Sequence, residues 1–136
     1  MKNVLYLLAV ATLGFWACEG DSTSSKNYLV GTWEAGPQTL RFFEDSNATM
    51  IIQRPDGPDT MLIWYKYAPD STPAHLDLHV YEHDGALKGM RLFGLMEIVH
   101  RDTFRTTSEM GFEGQGYKYR PKTMEERKTG TYVRVK

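Results

Sequence analysis

One cysteine in 136 residues excludes an intramolecular disulfide framework and any cysteine-based zinc cage. Long apolar runs are missing too. The most apolar segment, Val4–Trp16, spans thirteen residues, whereas a helix that crosses a bilayer needs about 20. Neither sign of charge dominates, because 16 basic residues face 17 acidic ones. A chain so near neutrality is a poor general binder of nucleic acid or of anionic membrane. There is no Gly-x-Ser-x-Gly, no phosphate loop and no His-Glu-x-x-His, so no motif for a nucleophile, a nucleotide or a zincin site is present. Repeats, low-complexity tracts and signs of a second domain are likewise missing.

The N-terminus carries an address. Met1-Lys2-Asn3 is a short basic start, and the apolar run behind it has the length and flanks of a secretory signal. The only cysteine closes that run in Phe15-Trp16-Ala17-Cys18, which resembles a bacterial lipobox. In that pattern a small residue, here Ala17, precedes the cysteine that is lipidated and becomes the new N-terminus. Phe15 and Trp16 are bulkier than the residues usual there. The alternative is an ordinary signal peptide cut just beyond, for example after Gly20, with no lipid. The lipobox reading divides the chain into a signal peptide over 1–17, a lipidated Cys18 with a tether over 18–27, and one domain over 28–136. Glu19–Asn27 has no apolar residue in nine, so it cannot offset its own ordering entropy and reads as a flexible tether. The expected address is the cell envelope, with the membrane as the partner of the anchor; a secreted or periplasmic soluble protein is the alternative.

From Tyr28 onward the chain is a series of short β-prone runs. They cover Tyr28–Glu34, Thr39–Glu44, Thr49–Arg54, Thr60–Tyr67, Ala74–Glu82, Met90–Val99, Thr103–Thr107 and Gly130–Lys136. Asp45-Ser46-Asn47, Pro55–Asp59, Pro69–Pro73 and Asp84-Gly85 punctuate them with strong turn formers. Such runs, joined by turn-rich links, predict an all-β antiparallel barrel or sandwich. The clearest alternation is Ala74–Glu82, where Leu76, Leu78 and Val80 face one way and His75, Asp77, His79 and Tyr81 the other. Pro121–Lys128 is the one helical candidate, with Pro121 at the first turn and acids before bases.

The first run opens with Leu29-Val30-Gly31-Thr32-Trp33, which looks like the Gly-x-Trp signature of lipocalin-like barrels. Three later segments extend the likeness: Asp70–Leu78, Gly94–Arg105 and Tyr119–Lys122. In that order they are similar to a family of bacterial lipocalin-like domains of about one hundred residues, of a planctomycete type and with no assigned activity. Met96 and Phe104 depart from its usual Tyr and Leu, but keep the apolar character. The resemblance covers most of 28–136 and implies a closed barrel of about eight strands that can hold an apolar ligand. It also implies that Trp33 plugs one end beneath an arginine from a late strand. Arg134 is the first choice for that partner and Arg120 the second.

Two constellations carry possible chemistry. His75, Asp77 and His79 share one face of a strand, about 6–7 Å apart along the chain, and could present three metal ligands. The competing reading is a solvated polar face opposite the leucines. Phe42, Met50, Met61, Trp64, Met90, Met96 and Phe104 all sit on predicted strands. Pointing inward, they could line a ligand cavity; packed solidly, they simply fill a small barrel. No cofactor is called for. Charge is unevenly spread, with four bases and eleven acids over 19–84 against seven bases and two acids over 115–136. The expectation is a non-catalytic envelope lipoprotein that binds a small apolar ligand or an envelope component. A protein-interaction or inhibitor module with a filled barrel is the alternative, and a metal-dependent enzyme built on His75, Asp77 and His79 the third.

Overall fold

The computed structural model describes residues 26–112, 120–124 and 129–136. These form eight antiparallel strands: β1 Gly31–Ala35, β2 Gln38–Phe42, β3 Asn47–Arg54, β4 Gly57–Ala68, β5 Ala74–Glu82, β6 Met90–His100, β7 Thr103–Phe112 and β8 Thr129–Arg134. Each pairs with the next, and β8 returns to β1 to close the barrel. The cause is local. Tight turns such as Gly36-Pro37 reverse the chain within two residues, so consecutive strands can only lie side by side.

Period-two alternation builds the interior. Leu40 and Phe42, Ala48 and Met50, Met61 and Ile63, and Leu76, Leu78 and Val80 are all buried, while the residues between them are partly or fully exposed. The strands run between two ends. One holds the 43–46, 69–73 and 101–102 connections; the other holds Gly36-Pro37, Pro55-Asp56 and the 83–89 loop. At the first end Trp33 is fully buried among Tyr28, Leu29 and Phe104. Its ring lies 5.4 Å from Tyr28 and 4.8 Å, edge to face, from Phe104, and its indole N–H donates to Leu29 O at 2.7 Å. This is the plugged end. At the other end His83 ties the 83–89 loop down. Its Nε2 lies 2.8 Å from an Asp59 carboxylate oxygen, and Nδ1 accepts the backbone N–H of Gly85 and Leu87.

Some elements differ from the sequence expectation. Tyr28–Val30 is a turn that leads into β1, and β7 runs on to Phe112 rather than stopping at Thr107. Among the described residues there is no helix. Pro121–Met124, the first half of the expected helix, bends without a helical turn, and 125–128 lie outside the described residues. Two turns of helix are marginal alone, and here Arg120 is pinned to the sheet just before them. It donates to both Asp77 carboxylate oxygens at 2.6 and 2.9 Å and to Gly94 O at 2.6 Å.

Candidate functional site

Arg134 stands over the plug. Its guanidinium carbon is 4.1 Å from the Trp33 ring centroid, and its nitrogens donate to Val30 O at 2.8 Å and Tyr28 O at 2.7 Å. A 3.2 Å ion pair with Asp102 fixes its third side. The register places it there, because Arg134 pairs with Trp33 across the β1–β8 seam. Gly31 makes room. Its φ of 128° suits glycine, and a Cβ at that position would stand 2.8 Å from Arg134 Nη1. Burial pushes the Tyr28 phenol up to about 12, against the pull of the Arg134 charge. This end is built to stay shut. Arg120 is far from it, on the outer face beside Asp77.

The other half of the barrel is not solid. A cavity of about 240 Å³ lies between β2, β3, β5, β6, β7 and β8. Leu40, Met50, Leu76, Leu78 and Leu92 form its apolar wall, and Gln38, Thr106, Ser108 and Tyr132 its polar strip. The space has a sequence cause. Gly130 carries no side chain, and Thr106 and Ser108 are small, so β7 and β8 underfill a barrel of eight strands on that side. Among the described residues, Trp33↔Arg134 and Glu34↔Val133 pair across the β1–β8 seam, and the β7–β8 pairing ends at Thr107↔Thr129. Gln38, Ser108 and Gly130 line the cavity toward the end away from the plug.

Its polar groups are partly committed. The Tyr132 hydroxyl donates to Gln38 Oε1 at 2.7 Å, and Gln38 Nε2 donates to Met50 Sδ at 2.9 Å. Thr106 donates to Leu95 O at 2.8 Å. Burial pushes the Tyr132 phenol up to about 12, so it remains a neutral donor at physiological pH. Convergent polar atoms in an apolar recess are the usual form of a small-molecule site. Two more open clefts, of about 430 and 450 Å³, lie beside the 69–73 loop and beside Trp64.

The sequence candidates divide among these places. Met50 lines the cavity, and Met96 lines the cleft beside the 69–73 loop. Phe42, Met61, Met90 and Phe104 are buried in the packed core. Trp64 is a correction: it lies outside, 53% exposed, stacked on Tyr81 with centroids 4.6 Å apart. With Met61 and Ile63 turned inward, alternation sends Trp64 outward. His75, Asp77 and His79 do share the outer face of β5, but the Asp77 carboxylate is taken by Arg120, and no group of three metal-ligating side chains occurs among the described residues. Cys18 and residues 1–25 lie outside the described residues. Sequence reasoning missed Gln38, Ser108 and Tyr132, which are scattered along the chain; small residues at inward positions of β7 and β8 were the available signal. Compared with protein-family models, curated proteins and solved structures, the chain matches none.

Proposed function

We propose that the protein is an exported lipoprotein, anchored through Cys18, whose lipocalin-like barrel binds a small, largely apolar ligand without chemically changing it. The observation that carries this reading is the interior cavity of about 240 Å³, with leucines on one side and Gln38, Ser108 and Tyr132 on the other. Catalysis would ask for a nucleophile beside a base, or for a metal cluster, and among the described residues the cavity lining contains neither.

The tether length adds an orientation. The eight residue-to-residue steps from Cys18 to Lys26 can span at most about 28 Å when fully extended. The longest strand, β4, has 12 residues; at about 3.3 Å each and a tilt of about 40°, it makes the barrel roughly 30 Å tall. The chain enters at the plugged end. An anchor on Cys18 therefore keeps that end nearer the bilayer and leaves the cavity side facing away, free to meet a ligand from the aqueous side.

The outer face favours a second reading, a protein-interaction module. Trp64 and Tyr81 form an exposed aromatic step beside Lys88 and Phe112, and exposed aromatics of this kind anchor interfaces. Native mass spectrometry on full-length protein expressed with its leader in a bacterial host separates the readings. The expected result is a chain cut before Cys18, carrying diacylglycerol and a retained small molecule. A stoichiometric protein partner lost on Trp64→Ala, with no small molecule, would favour the second.

A further inference from the structure

The cavity's lining also limits what can enter it. A volume of about 240 Å³ lies just below the roughly 300–1,000 Å³ of drug-sized ligand pockets, so the space suits a ligand of medium length better than a long-chain one. Among the described residues no charged side chain lines the cavity, so an ionised carboxylate would be desolvated against that lining with no cation in it to offset the cost.

What the lining offers is hydrogen-bond donors. Tyr132 fixes the Gln38 amide by donating to its carbonyl, which leaves the amide N–H₂ aimed at Met50 Sδ. A thioether is a weak acceptor. A carbonyl oxygen placed beside Met50 would be a better partner for Gln38 Nε2, and the Ser108 hydroxyl lines the same recess. Leu76 and Leu78 face this strip and suit a short hydrocarbon tail.

We propose that the cavity selects uncharged medium-chain carbonyl compounds, with the ligand oxygen on Gln38 and Ser108 and the tail against Leu76 and Leu78, and that it rejects carboxylates of the same length. This rests on the cavity being the binding site, and it narrows the ligand by charge, length and one acceptor.

Isothermal titration of the mature full-length protein with octan-2-one, octanoate and hexadecanamide tests it. Octan-2-one binds at least about tenfold more tightly than octanoate near pH 8, and hexadecanamide binds weakest. Octanoate gains affinity toward about pH 4, where its carboxyl group becomes neutral. Gln38→Leu weakens octan-2-one about tenfold, the worth of one buried hydrogen bond, while urea unfolding checks that the variant folds. Octanoate equal to octan-2-one at pH 8, hexadecanamide as the tightest probe, or an unchanged octan-2-one affinity in Gln38→Leu overturns the ligand class and leaves a cavity binder. No binding by any of the three overturns both the class and the cavity reading.

Discussion

Replacing Arg134 by alanine removes three kinds of contact at once. The Val30 and Tyr28 carbonyls lose donors at 2.8 and 2.7 Å, the Trp33 ring loses a cation at 4.1 Å, and Asp102 loses its 3.2 Å partner. Hydrogen bonds from a charged donor contribute about 1.5–3 kcal/mol each, and a partly desolvated cation over an indole about 0.5–2 kcal/mol. These terms do not add, because the Arg134 side chain keeps 25% exposure and water replaces part of what is lost. A loss of about 3–4 kcal/mol is the expected outcome, a large part of the 5–15 kcal/mol typical of a domain. For a body of roughly 110 residues the melting temperature falls by about 12–16 °C. Arg134→Lys keeps the charge but not the fork, and loses about half as much. Arg41 supplies the control: it is exposed and lies 5.2 Å over Phe43, so Arg41→Ala loses under about 1 kcal/mol. Urea unfolding followed by tryptophan fluorescence measures all three. If Arg134→Ala loses no more than Arg41→Ala, the guanidinium does not clamp the plug.

Arg120→Ala leaves Asp77, among the described residues, with the Gly94 N–H at 3.3 Å and lowers stability by about 1.5–3 kcal/mol; hydrogen exchange at Gly94 speeds up while that at Trp33 does not. The Tyr132 phenol is raised to about 12 from 10, so folding favours its protonated form. That contribution, on the order of 2–3 kcal/mol, is complete below pH 10 and lost as pH rises toward 12; Tyr132→Phe flattens the alkaline limb of stability against pH, and an unchanged limb would refute the assignment. Phe104→Ala, fully buried against Trp33 and Tyr132, loses about 3–5 kcal/mol, whereas Trp64→Ala on the outer face loses under about 1 kcal/mol. Equal losses in thermal melts would contradict the inward and outward assignment of these two aromatics.

Much of the fold was legible because its signals are short-range. The Ala74–Glu82 alternation and the turn residues at 45–47, 55–59 and 69–73 mark strands wherever the rest of the chain goes. Trp33 and Arg134 were legible as a pair only through resemblance, since nothing local joins residues a hundred positions apart. Strands apolar on both faces were ambiguous. Along Met61–Trp64 every residue could pack, and composition cannot say which parity turns inward. The neighbours decide it, because Met61 sits opposite Met50 and Ile63 opposite Ala48, both inward.

The cavity lay further still from what one dimension encodes. It exists because Thr106, Ser108 and Gly130, brought together from β7 and β8, face Gln38 and the leucines of β5 on one side of the barrel and leave it underfilled. Asp77 belongs to the same class: on its strand it looked like a metal ligand beside two histidines, and the approach of Arg120 from 43 residues away turned it into half of an ion pair. What the chain determines alone is therefore what local physics can carry: strand periodicity, turn positions, and the single cysteine at the end of an apolar run. Closure decided the rest, because which face is inside, which polar group finds a partner and where space remains depend on distances that exist only once β8 has met β1.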